Sequence, residues 1–114
     1  MATQPVLIEF TRAGGAFCRL TVSAWPATGT PTLPVDVAVL ASPKKSPERA
    51  SLQLPPGNYT VVGMVDVIEA VSGTFDYSYT VDGTLRATNH GDVNQTHSPT
   101  DMKIFSMTFN ITVI

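Results

Sequence analysis

The side chains best suited to chemistry gather in one short stretch. The only two histidines, His90 and His97, share it with Asp92, Asn94 and Asp101. Zinc takes three or four nitrogen, sulfur or oxygen ligands, and His90, Asp92 and His97 could supply three. Calcium prefers oxygens, and Asp92, Asn94 and Thr96 fall at the first, third and fifth positions of an EF-hand loop. The match then ends, because His97 stands where that loop needs its glycine and Lys103 where it needs its bidentate glutamate. A solvated loop over 89–101, with His and Asn serving turn geometry, is the plainer account, and no metal or cofactor is expected. If the chain does take a sugar or a calcium ion, His90, Asp92, Asn94, His97 and Asp101 form the candidate binding set.

Catalysis finds less to work with. Cys18 alternates with apolar neighbours, a setting that keeps a thiol protonated and inert. There is no Gly-x-Ser-x-Gly elbow, Walker loop or dinucleotide fingerprint, and the one glycine pair, Gly14-Gly15, precedes a strand pattern rather than a helix. Asp76 and Asp82 share a strand face, but six residues of extended chain hold them about 20 Å apart. Glycoside hydrolysis needs its carboxylates roughly 5–9.5 Å apart. No catalytic residue is expected, and the chain reads as a non-enzyme. Sequons occur at Asn58, Asn94 and Asn110, as a threonine-rich chain generates by chance, and glycosylation is not expected.

The elements that position these residues are strands. With 13 Val and 15 Thr against three each of Lys, Glu and Gln, the chain is rich in side chains that fit a pleated surface and poor in helix formers. Pro5 to Arg12 is a first strand, with Leu7 and Glu9 on one face and Ile8 and Phe10 on the other. Cys18, Leu20, Val22 and Ala24 alternate with Arg19, Thr21 and Ser23 in a second. Trp25 to Pro34 holds three prolines and one glycine and reads as a loop. Val35, Val37 and Val39 alternate with Asp36 and Ala38 in a third strand. Ser42 to Arg49 reads as a solvated connection, and Ala50, Leu52 and Leu54 mark a fourth strand. Tyr59 to Val71 is the most apolar segment, in which Gly63 suggests a bulge or a close approach and residues 67–71 suit either strand or a short helical turn. Phe75, Tyr77, Tyr79 and Val81 share a core stripe, and Asp82-Gly83 signals a type I′ hairpin into a strand carrying Leu85 and Ala87. Phe105, Met107, Phe109, Ile111 and Val113 line the inner face of a final strand.

Turns every 8–12 residues or so and seven to nine strands predict an all-β, two-layer antiparallel β-sandwich of immunoglobulin-like size, a single domain over 1–114. A jelly roll or small barrel would satisfy the same pattern, and no internal repeat is present. One stretch, Leu54-Pro55-Pro56-Gly57-Asn58-Tyr59-Thr60-Val61, resembles the L-P-x-G-x-Y-x-V turn of bacterial immunoglobulin-like and prealbumin-like modules. The resemblance implies a turn that joins two strands and buries the tyrosine or its neighbours.

The chain has 114 residues, a formal charge of −2 and 14% charged residues. That balance argues against a nucleic-acid binder, and Lys44, Lys45 and Arg49, the one basic cluster, hold Glu48 among them and no aromatic for base stacking. No basic amphipathic face suits a membrane surface. The run Val6 to Phe10 is interrupted by Glu9 and is too short for a signal core or a membrane span, so the expected location is the cytoplasm. A sandwich buries only one face of each sheet. Val62 and Met64, and Ile104 and Ile114, fall on the face opposite the core stripes, so self-association or a protein partner is expected to cover them. The function expected is that of a non-enzymatic binding or structural module, with carbohydrate or calcium binding at 89–101 as the alternative.

Overall fold

The computed structural model describes residues 2–12, 16–30, 32–42, 47–70, 74–92 and 103–114. Eight strands carry nearly all of them: β1 (Gln4–Arg12), β2 (Ala16–Pro26), β3 (Asp36–Ser42), β4 (Glu48–Leu54), β5 (Gly57–Ala70), β6 (Thr74–Val81), β7 (Thr84–Asp92) and β8 (Lys103–Val113). They form two four-stranded antiparallel sheets in the orders β4-β1-β6-β7 and β3-β2-β5-β8. This is the two-layer β-sandwich that the odd–even patterning predicts. Only β2–β3 and β6–β7 are sequence neighbours paired within a sheet, so every other connection crosses between layers.

The alternation explains the core. Val6, Ile8 and Phe10 of β1, Cys18 to Ala24 in steps of two along β2, and Leu52 and Leu54 of β4 all point inward. Tyr59, Val61 and Val65 of β5 and Tyr77, Tyr79 and Val81 of β6 meet them in one contiguous cluster. Each fully buried Leu, Ile or Phe contributes about 1.5–3 kcal/mol of transfer free energy. The Leu54–Val61 turn joins β4 to β5 and buries Tyr59, whose hydroxyl donates to the Pro55 carbonyl. Asp82 and Gly83 both have positive φ, 57° and 77°, as the type I′ hairpin between β6 and β7 requires.

Several expectations need correction. β2 runs through Trp25 and Pro26, which pair with Thr60 and Tyr59 of β5. Proline is tolerated in this central strand because β3 has already ended there. The Ala24 carbonyl accepts from Val35 N at 2.7 Å on that side, and the Pro26 nitrogen faces the same way, beyond the last bond. Residues 67–70 continue β5 rather than turning into a helix. Ser42 ends β3, and Glu48 and Arg49 open β4, which leaves less of a connection than the polarity of that segment suggests. In β3 the valines Val37 and Val39 stand outside, as does Val35 just before it, because Ala38 and Leu40 take the inward phase. Gly14 and Gly15 lie outside the described residues.

Gly63 marks a close approach. A Cβ built there would lie 2.3 Å from the Tyr79 hydroxyl and 2.9 Å from its Cζ. The missing side chain lets the Tyr79 ring reach from one sheet down to the backbone of the other.

The two long sides of the sandwich differ. On one, β3 and β4 come together, and the Asp36 carboxylate accepts from Gln53 N at 2.7 Å and from Val37 N at 2.9 Å, tying the sheets to each other. On the other, the edge strands β7 and β8 stand apart. The inner face of β8 is there incompletely covered: Phe105, Phe109 and Ile111 are half-buried and Met107 is 40% exposed.

Candidate functional site

The expected binding loop is only partly a loop. Asn89, His90, Gly91 and Asp92 continue β7, where the backbone registers His90 opposite Asp76 and Asp92 opposite Thr74. Polarity misled the sequence reading here, since a strand with one solvated face accepts such residues. Asp92 therefore ends a strand, whereas an EF-hand loop starts after a helix. Asn94, His97 and Asp101 lie outside the described residues. Among the described residues no group of three or more His, Cys, Asp or Glu is placed to hold a metal ion.

The outer faces of the two sheets are unlike. Over β4-β1-β6-β7 the outward rows hold Gln53, Ser51, Ser78, Thr80 and Thr11, with Arg49 Nε donating to Glu9 Oε2 at 2.9 Å. Leu7 and Leu85 are isolated among them. Over β3-β2-β5-β8 the rows read Val39–Thr21–Met64–Ser106, Val37–Ser23–Val62–Thr108 and, beyond the end of β3, Trp25–Thr60–Asn110. Val39 and Ile104 are each 59% exposed and Val37 44%. The Trp25 indole N–H donates to Ser23 Oγ at 2.9 Å, so the ring offers the surface its apolar body. A hollow of about 460 Å³ lies beside it, lined by Trp25, Pro26, Thr60 and Val62 among others. At the far end the row Arg19–Asp66 is an ion pair at 3.0 Å. Val62, Met64 and Ile104 thus face outward as the sequence predicts, and β3 adds Val37 and Val39 to them.

Two sequons interlock on this face. Thr60 Oγ1 donates to Asn110 Oδ1 at 3.3 Å and Thr112 Oγ1 to Asn58 Oδ1 at 2.8 Å. Each asparagine is held by the threonine of the other sequon, which gives both pairs a role in the β5–β8 ladder without any sugar.

The mouth between β7 and β8 holds a group that sequence reasoning passed over. Pairing of β6 with β7 jumps from Tyr79↔Ala87 to Thr80↔Leu85, which leaves Arg86 as the extra residue of a β-bulge. In a regular strand Leu85 and Ala87 would share a face. The bulge instead leaves Leu85 outside, packs Ala87 on the core, and turns Arg86 inward with Cζ 4.5 Å from the centre of the Phe109 ring. Tyr77 and Phe105 close the floor with ring centroids 5.9 Å apart. A cavity of about 460 Å³ opens here, lined by Tyr77, Tyr79, Arg86, Phe105 and Met107 among others. Two buried polar atoms beside it, Tyr79 Oη and Arg86 Nε, have no hydrogen-bond partner. Burial, with the neighbouring Tyr77, pushes the Tyr79 phenol up to about 12 against a smaller opposing pull from Arg86, so it is a proton donor at neutral pH. The sequence signal for this site was slight: one arginine between two apolar residues just after a hairpin turn.

Among the described residues no helix is long and apolar enough to cross a membrane. No protein family and no curated protein matches the chain. A solved structure of a domain of unknown function from Bacteroides vulgatus is similar to it at a TM-score of 0.49 and 10% identity, over 100% of this chain and 99% of that one. At that level the likeness carries no argument about function.

Proposed function

We propose that the protein is a non-enzymatic binding or structural module, of immunoglobulin-like or prealbumin-like build, that acts through protein–protein contacts. The observation that supports this reading is the contrast between the two outer faces. One is polar, while the other presents Val35, Val37, Val39, Val62, Met64 and Ile104 in adjoining rows. Apolar residues scattered singly on a surface need no explanation, but a contiguous group marks an interaction surface. The adjoining edge strand strengthens the reading. From Ile104 to Ile114 it has no charge, proline or glycine, the devices that ordinarily block strand-to-strand association.

A second copy of the chain is the partner to test first, because a face without net charge meets its own copy without repulsion. Light scattering across a concentration series should show mass rising above that of one chain. Val37→Lys combined with Met64→Lys, both on the outer face, should return the protein to a monomer with its thermal stability kept. A strict monomer at every concentration, together with identical pull-downs from native extract by the wild type and the double variant, would refute the proposal.

A further inference from the structure

We infer that the mouth between β7 and β8 is a binding site for a small organic carboxylate with an apolar body, the carboxylate held by the Arg86 guanidinium and the body lying against Phe105 and Met107. The bulge is the first argument. A β-bulge re-aims a side chain, and this one turns a half-buried guanidinium inward, into the space between two sheets. Desolvating a cation is costly unless something of opposite charge meets it. Yet among the described residues lining this cavity none is acidic.

The donors are the second argument. The Phe109 ring takes one face of the guanidinium, whose planar fork of donors suits a planar acceptor. A guanidinium in an apolar mouth makes a receptor for a carboxylate, which accepts several hydrogen bonds at once. The walls are the third. Phe105 and Met107 are apolar and incompletely covered, and a cavity of about 460 Å³ suits a small organic molecule rather than a bare ion. This site lies between the sheets and is independent of the outer face on which the protein-contact reading rests.

The test is an amide NMR titration of the whole chain with 2-naphthoate, run beside its neutral counterpart 2-naphthylmethanol and beside inorganic phosphate. Saturable shifts at Tyr79, Arg86 to Thr88 and Phe105 to Met107 are expected with naphthoate alone. The alcohol should bind at least about tenfold more weakly, the order of one charge-assisted contact. Arg86→Gln should lose binding to a similar extent and Arg86→Lys less. No saturable shift with naphthoate overturns the inference. So does equal binding of the alcohol, which needs no variant to fold, or undiminished binding by Arg86→Gln. Binding of phosphate as tight as that of naphthoate would also overturn it, by removing any role for the apolar walls.

Discussion

Along the side where β3 meets β4 the two sheets are tied by a carboxylate and the core residues are fully enclosed; along the side where β7 faces β8 they part. Leu52 and Leu54 of β4 are completely buried, whereas Met107 of β8, on an equally apolar inward row, is 40% exposed. The same alternation therefore produces a sealed margin in one place and an open one in the other. Residue pattern decides which side chains face inward, and strand pairing across the sandwich decides whether anything covers them.

The widest test of this contrast pairs Leu52→Ala with Met107→Ala. The first should cost about 2–5 kcal/mol of unfolding free energy in urea titration. The second, from a site already wet, should cost less than about 1 kcal/mol. Similar losses at both positions would mean that the β7/β8 side is closed in solution. Next in size is Gly63→Ala, whose Cβ must displace the Tyr79 ring, at a cost of about 1–3 kcal/mol. Adding Tyr79→Phe should recover part of that loss, because the hydroxyl is the nearest atom. No recovery would place the conflict elsewhere in the ring. Asp36→Ala should cost about 1–2 kcal/mol, for losing two hydrogen bonds from a half-exposed carboxylate. Amide exchange at Gln53 should quicken in that variant. If it does not, apolar packing alone holds the β3/β4 margin.

Much of this fold was legible in the sequence, for a physical reason. A half-buried strand advertises its inner face every second residue, so the cores of β1, β2, β6 and β8 follow from Ile8 and Phe10, Leu20 and Val22, Tyr77 and Tyr79, and Phe105 and Phe109. The Asp82-Gly83 hairpin was equally plain, because only a few residues accept positive φ. What stayed hidden depends on partners far along the chain. Valine suits either face of a sheet, so Val37 and Val39 could not announce that they point outward until Leu40 was known to occupy the core. Trp25 and Pro26 look like loop until β3 is seen to stop short of them. His90 and Asp92 read as solvated loop because pairing with β6 leaves no trace in their own composition. The candidate site was less legible still. No local pattern shows that Arg86 is supernumerary, since that is a property of β6 and β7 taken together.

That supernumerary residue has an unusual corollary for how the hairpin could change. Excising Arg86 would bring Leu85 and Ala87 into unbroken step with Thr80 and Tyr79, so a single-codon deletion inside a strand would repair the ladder instead of shifting its frame. The positive charge between the layers is thus an insertion that the surrounding scaffold could shed without rebuilding itself, and its retention is a feature separable from the fold.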